Sequence, residues 1–309
     1  MHERKEIFQK LNCPVCNSNS FSVKYSSIWH FTKEFEIMGL PDSFNLQKSD
    51  VVICSKCHHS FLNPVISEQI LNKYYSELDS VYYNKIIDPA KQMKHLADRH
   101  NQVLKIISKY AKSNCKILEI GSGYGFLLKK LQDFGFDTTG IEPSPHAFKY
   151  SSEVLNLNII QSFLNDNSFS ENEFDFILLF DVVEHIYNLS SIMGIIKKIM
   201  KPDGYVIFGT GNIDSLYAKF SGKNWFYFSF WEHVSFFSPK SVKFLANKYN
   251  LELTDLYHTS YTGNFFISII GFIKGVIKRI FINPFLNEKH KYKINLFFDH
   301  MIVVLKNAE

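Results

Sequence analysis

Cys115-Lys116-Ile117-Leu118-Glu119-Ile120-Gly121-Ser122-Gly123-Tyr124-Gly125 decides the fold. Cys115 to Ile120 is a short apolar run with β-branched residues, which suits a central strand of a parallel sheet. The three glycines that follow allow positive φ and bring backbone N–H groups close to a ligand with no Cβ in the way. Phe126 to Phe134 then reads as a helix, whose N-terminal dipole end points at the same spot. A nucleotide-like or carboxylate-bearing ligand is expected there.

Working outward, Val103, Leu104, Ile106, Ile107 and Tyr110 recur at helical spacing, so a helix precedes the strand. Leu127, Leu128 and Leu131 are expected to face the sheet, and Gly135 to end their helix. Asp137 to Ile141 reads as a second strand with Glu142 at its C-terminal end. An acid about twenty residues beyond the glycines accepts hydrogen bonds from ribose hydroxyls in nicotinamide dehydrogenases and in enzymes using S-adenosylmethionine. Leu157 to Ile160 is a brief third strand, followed by Asn165 and Asp166. Phe174 to Phe180 is a buried fourth strand that ends at Asp181-Val182-Val183-Glu184-His185. Lys201-Pro202-Asp203-Gly204 reads as a turn into a fifth, Tyr205 to Gly209. This alternation predicts a doubly wound α/β sheet with ligands at the carboxyl ends of its strands.

The chain has 309 residues, enough for one large α/β domain and a small appendage. A net charge of +4 is only mildly basic and does not demand a nucleic-acid partner. Met1 to Lys10 is charged and lacks the apolar core of a secretory signal. Five cysteines in that context point to metal binding or free thiols and not to disulfides. Cys13-Pro14-Val15-Cys16 and Cys54-Ser55-Lys56-Cys57 are two CxxC knuckles. Two such pairs close a tetrahedral thiolate site around zinc, and four cysteines leave no open position, so the site is read as structural. Val51 to Ile53 reads as a ribbon strand, and His58 and His59 as loop or packing residues. Ser67 to Ser76 reads as a helix. Tyr74, Tyr75, Tyr82 and Tyr83 then offer either aromatic packing or a phenol that lines a substrate pocket.

Taken together, Glu119-Ile120-Gly121-Ser122-Gly123-Tyr124-Gly125, Glu142, Phe174-Asp175, Glu184-His185 and Lys201-Pro202-Asp203-Gly204 resemble the motifs of class I S-adenosylmethionine-dependent methyltransferases. The glycines follow that family's GxGxG pattern, not the GxGxxG of dehydrogenases. The resemblance implies a Rossmann-like sheet of seven strands, the last inserted antiparallel at His300 to Leu305. It implies a methyltransferase domain over 91–309 behind a small zinc ribbon and connector over 1–83. Glu119, Gly121, Ser122, Gly123, Gly125, Glu142, Asn165 and Asp181 are the expected cofactor residues, with S-adenosylmethionine as cofactor. Cys13, Cys16, Cys54 and Cys57 are the expected zinc ligands.

A narrower resemblance joins the cysteine ribbon to Phe230-Trp231-Glu232-His233-Val234-Ser235-Phe236-Phe237-Ser238. The combination is similar to sugar C-methyltransferases and to methyltransferases of surface-glycan gene clusters, and implies a sugar or glycan acceptor. In those enzymes the matching pair carries the base role, which falls here on His233, with Glu232 orienting it. Taking the proton of a poorly nucleophilic hydroxyl suits a histidine at neutral pH. His185 is the second candidate. Asp181, Glu184 and His185 also resemble the divalent-metal set of quinone O-methyltransferases. A zinc-ribbon RNA methyltransferase is a third reading, disfavoured because basic residues in the ribbon are sparse and mixed with acids. Asn264 to Phe285 is apolar apart from a narrow polar stripe. As a helix it would pack between the last two strands, cover the acceptor pocket, or lie on an anionic membrane. A cytoplasmic location, peripheral to the inner membrane face in the last case, is the expectation.

Overall fold

A computed structural model of the protein describes residues 8–29, 48–78, 88–229, 232–260 and 299–308. The expected helix over 264–285, all but the first residue of the apolar insert expected over about 260–295, Tyr82 and Tyr83 lie outside the described residues. Among the described residues no helix is long and apolar enough to cross a membrane.

The N-terminal segment contributes β1 (Phe8–Gln9), β2 (Phe21–Trp29), β3 (Lys48–Cys54), β4 (Ser60–Asn63) and β5 (Val65–Ile66). Helix α1 (Glu68–Lys73) runs on into a π-helical turn, Tyr74–Leu78. Helix α2 (Pro89–Tyr110) starts where Asp88 accepts a hydrogen bond from the Ala90 amide and Pro89 presets φ. Its buried stripe includes Leu96, Arg99, Val103 and Ile107. The expected strand, glycine turn and helix follow as β6 (Lys116–Ile120) and α3 (Phe126–Asp133).

Next come β7 (Asp137–Ile141), α4 (Pro145–Lys149), β8 (Ile159–Ile160), β9 (Phe174–Phe180), α5 (Leu189–Ile199) and β10 (Met200–Gly211). The C-terminal part adds α6 (Leu216–Ser221), β11 (Ser235–Phe236), α7 (Pro239–Lys248), β12 (Leu251–Thr259) and β13 (His300–Asn307).

The large sheet has seven strands in the order β12-β13-β10-β9-β6-β7-β8. β6, β7, β8, β9 and β10 run parallel, and β13 is antiparallel to both of its neighbours. Strand order reverses at β6, which lies between β7 and β9, so a crevice opens at the carboxyl ends of these strands. Two expectations are corrected in detail. The third strand is only Ile159–Ile160, because the Leu157 amide is taken by the Ser151 carbonyl and Asn156 adopts a left-handed φ of 54°. Lys201 to Gly204 is not a separate turn: β10 begins at Met200 and absorbs these residues as a register irregularity against β9.

The N-terminal segment is not a free appendage. Its sheet has the order β11-β4-β3-β2, so the chain returns from the far half to supply the edge strand. Ser235 pairs with Phe61 and Phe236 with Ser60. One apolar cluster joins Val15, Cys54 and Phe61 to Leu179, Phe208 and Phe237 of the large sheet's side. Burial of that size, at roughly 25 cal/mol per Å² of apolar surface, fuses the two sheets into one core.

Candidate active site

At the C-terminal end of β6 the backbone turns through Gly121 at φ 68°. A Cβ there would sit 2.6 Å from Val182 Cγ2, so both conformation and space demand glycine. The Gly121 amide donates to the Ile141 carbonyl at 2.8 Å, which fixes the turn against β7. Gly123, at φ 52°, faces open space: a Cβ built on it meets nothing within 4 Å. Its amide donates to Glu142 Oε2 at 2.7 Å, and the Ser144 amide donates to Oε1 at 2.9 Å. Glu142 is 6% exposed. Burial raises its pKa, while the two amides pull the other way. Each carboxylate oxygen keeps a lone pair for a ligand hydroxyl.

Two adjoining cavities meet at this turn. The larger, of about 490 Å³, is lined by Ile141, Glu142, Pro143, Phe163 and Leu164 and is closed by Leu71 and Asn72 of α1. The smaller, of about 250 Å³, is lined by Arg99, His100, Glu119, Ser122 and Tyr124. Tyr75, Gly121, Gly123, Asp181 and His185 belong to both. Arg99 forms a two-pronged ion pair with Asp181, at 2.8 and 3.1 Å. Burial pushes Glu119 up to about 8, and Arg99 opposes the shift. Glu119 Oε2 and Ser122 Oγ are buried with no hydrogen-bond partner among the described residues. Buried polar atoms of this kind call for a ligand or ordered water. Gly125, at φ 77°, is the N-cap of α3 and completes the turn from behind. Asn165 is exposed and tied into a local turn with Phe163 and Asn167; it lines neither cavity.

The opposite wall draws on distant parts of the chain. Glu184 is buried and accepts from the hydroxyls of Tyr227 and, at 3.2 Å, Thr210. Its backbone carbonyl takes the Val234 amide at 2.8 Å. His185 Nδ1 is 3.1 Å from the Glu232 carbonyl and 3.3 Å from Tyr75 Oη, and Tyr75 donates to Glu232 Oε2 at 3.0 Å. A carbonyl only accepts, so Nδ1 of His185 carries a proton. His233 lies behind His185, with ring centroids 4.9 Å apart. It donates through Nδ1 to the Tyr227 carbonyl at 3.1 Å and lines neither cavity. Burial, then the neighbouring His185, holds its pKa well below the usual histidine value, so it is neutral. Of the two histidines singled out in the sequence, it is His185 that reaches the cavities.

Of the tyrosine cluster, Tyr75 lines both cavities. Arg99 escaped the sequence reading, although a charged residue on the apolar stripe of α2, four positions before Val103, was its signal. Tyr227 had no signal, because its role depends on a fold-back onto Glu184 from 43 residues away.

The four knuckle cysteines come together as expected. Cys13 and Cys57 sulfurs are 3.4 Å apart, Cys16 and Cys54 sulfurs 3.5 Å, and all four lie within 4.8 Å of one another. The knuckles repeat the same backbone. Asn17 N donates to Cys13 O and His58 N to Cys54 O, at 2.8 and 3.0 Å, and Asn17 and His58 share a φ of 58°. His59 is fully buried between Phe61 and Phe237, and burial lowers its pKa to about 3. It packs, as expected, and is not a fifth ligand.

Residues 90–256 match the family described as "Methyltransferase domain". The chain belongs to that family. Its methyltransferase domain has a Rossmann-like fold, which supports S-adenosylmethionine as the cofactor. The open cradle at Gly123, the spare lone pairs of Glu142 and the buried unpartnered atoms of Glu119 and Ser122 fit that cofactor. Among curated proteins the methyltransferase is similar to the ubiquinone biosynthesis O-methyltransferase of Glaesserella parasuis, 32% identical over 31% of this chain and 45% of the relative. The Pasteurella multocida protein of the same name is 27% identical over 48% of this chain and 66% of that one. A polyketide synthase-nonribosomal peptide synthetase of Pyricularia oryzae is 25% identical over 54% of this chain and 4% of its own length. The chain thus spans less than two thirds of these relatives. Among solved structures, the chain superposes on one in a Haloferax volcanii complex of the Trm112 methyltransferase activator with a methyltransferase, at TM-score 0.51 and 12% identity. That match covers 74% of this chain and 97% of the other. A Thermotoga maritima S-adenosylmethionine-dependent methyltransferase gives 0.50 and 14%, over 74% and 98%. These likenesses concern the fold.

Proposed function

We propose that this methyltransferase acts on a hydroxyl of a sugar or glycan and that His185 takes the proton. The observation that carries the reading is the His185–Tyr75–Glu232 set, in which Tyr75 and His185 line both cavities and Glu232 lines the smaller. S-adenosylmethionine supplies a methyl group on a positively charged sulfur. Glu142, through its spare lone pairs, and the unpartnered side-chain atoms of Glu119 and Ser122 would hold the cofactor's polar ends. His185, with its proton held on Nδ1, offers Nε2 to the acceptor hydroxyl; Glu232 and Tyr75 fix the ring's tautomer and angle. His233 backs the ring of His185 and stays neutral, which spares the pair a like-charge repulsion. The sugar class rests on the likeness of residues 230–238 and of the cysteine ribbon to sugar methyltransferases.

A second reading, O-methylation of a quinol-type phenol, draws on the curated relatives. In its metal-assisted form it requires Asp181 and Glu184 as ligands. Asp181 is committed to Arg99, and Glu184 to Tyr227 and Thr210. Glu184, His185 and His233 do have ligand atoms within 4.8 Å of one another, but both Glu184 oxygens already accept a hydrogen bond, from Tyr227 and Thr210. The metal-free, acid–base reading is therefore preferred. Zinc is proposed instead for Cys13, Cys16, Cys54 and Cys57, where it replaces thiol protons and stabilises the folded segment.

A labelled-methyl transfer screen over nucleotide sugars, lipid-linked glycans and hydroxylated quinones tests the acceptor. Transfer to a sugar that persists in a chelator that spares the four-cysteine metal but is lost in His185→Ala supports the reading. Transfer only to a quinol, or only with an added divalent ion, overturns it.

A further inference from the structure

The sheet that carries the cysteine knuckles is also the sheet that holds the acceptor loop. β4 is flanked by β3, which ends at Cys54, and by β11, which begins two residues after His233. The Leu62 amide donates to the Val234 carbonyl at 2.9 Å, on the side of β4 that faces away from the knuckles. From the other side the Val234 amide reaches the Glu184 carbonyl at 2.8 Å, and the Ile213 amide the Phe237 carbonyl at 2.9 Å. Glu232, His233 and Val234 are thus clamped between two elements, one of them belonging to the N-terminal segment. The same segment supplies a third tie, Tyr75, to the Glu232 carboxylate. The backbone of the cofactor cradle is tied differently, although Leu71, Asn72 and Tyr75 line the cavity beside it. Gly121, Gly123 and Glu142 are fixed by Ile141, Ser144 and Val182, all from the large sheet and its loops.

We propose that the four-cysteine site is a positioning element for the acceptor side. Metal bound there fixes β3 and β4, and β4 in turn fixes the Glu232–Val234 loop, while cofactor binding is left to the large sheet. The proposal rests on the reading of the cysteines as a metal site. A small sheet with little core of its own gains much of its order from such a metal. Loss of the ion is therefore expected to release β4 and β11 locally and leave the large sheet standing.

The test measures metal content, amide hydrogen exchange and S-adenosylmethionine affinity on the full chain, as purified, after chelator treatment, and as Cys16→Ser. The expected result is about one zinc per chain in the untreated protein. Its loss should raise exchange at least tenfold at Leu62 and Ser235–Phe237 and leave exchange in β6 and β9 and the cofactor Kd within about twofold. Metal lost with unchanged exchange at 235–237 overturns the coupling but keeps the metal site. Exchange rising across β6 and β9, with cofactor affinity lost in parallel, also overturns it, since the metal would then serve global stability. A protein that carries no metal and takes up none from added zinc overturns both readings.

Discussion

The two halves of the cleft are assembled in opposite ways. The cofactor half is built from one stretch of chain: β6, the glycine turn, α3, β7 and Glu142 follow one another, and the decisive bond from Gly123 to Glu142 spans 19 residues. The acceptor half is built from pieces that meet only in the folded state. Tyr75 reaches His185 across 110 residues and Glu232 across 157. The first half is a local motif that any strand–turn–helix of this type carries. The second is a tertiary product that needs the N-terminal sheet in place. On the proposed function, specificity for the acceptor belongs to the part of the molecule that is easiest to vary without losing the cofactor.

Substitutions that act on one half and spare the other sharpen this contrast, and they rank by expected size. Gly121→Val places a branched side chain at φ 68° against Val182. It should weaken cofactor binding by more than about a hundredfold in calorimetry, since backbone strain and a steric clash act together. His185→Ala should lower turnover by roughly 10² to 10⁴, the span of general base catalysis. The cofactor Kd should stay within about threefold; a parallel loss of binding would erase the division between the halves. Tyr75→Phe removes one hydrogen bond to a carboxylate, and turnover should fall about tenfold, in line with 1–2 kcal/mol for such a bond. The smallest effect is on pH dependence. Glu119 is pushed up from 4.5 to about 8 by burial, so the folded state holds a proton that the unfolded state has released. Its contribution is full below pH 4.5 and fades as pH rises through 8. Glu119→Gln should therefore lose less Tm between pH 6 and pH 8.5 than the wild type, as scanning calorimetry reads; an identical loss would mean that Glu119 titrates normally.

The same contrast explains what could be read in the sequence. The glycine turn, Glu142 and the buried β9 were legible, because each is set by period, by φ or by distance along the chain, whereas the antiparallel last strand came from the family resemblance alone. Both CxxC knuckles were legible for the same reason, since a thiolate pair needs only a tight turn. The division of labour between His185 and His233 was not. Both are histidines beside acids, and only the fold-back of Tyr227 and the pairing of β11 with β4 put one on the cavity wall and the other behind it. Arg99 was hidden by its place on an otherwise apolar stripe, where its partner Asp181 lies 82 residues away.

The most direct test compares Glu142→Ala with Glu232→Ala in one experiment: calorimetric binding of S-adenosylmethionine to each full-length variant. A cleft with two separately built halves predicts that Glu142→Ala loses measurable cofactor binding while Glu232→Ala binds within about twofold of the wild type. Cofactor binding retained by Glu142→Ala, or lost equally by both, would contradict it.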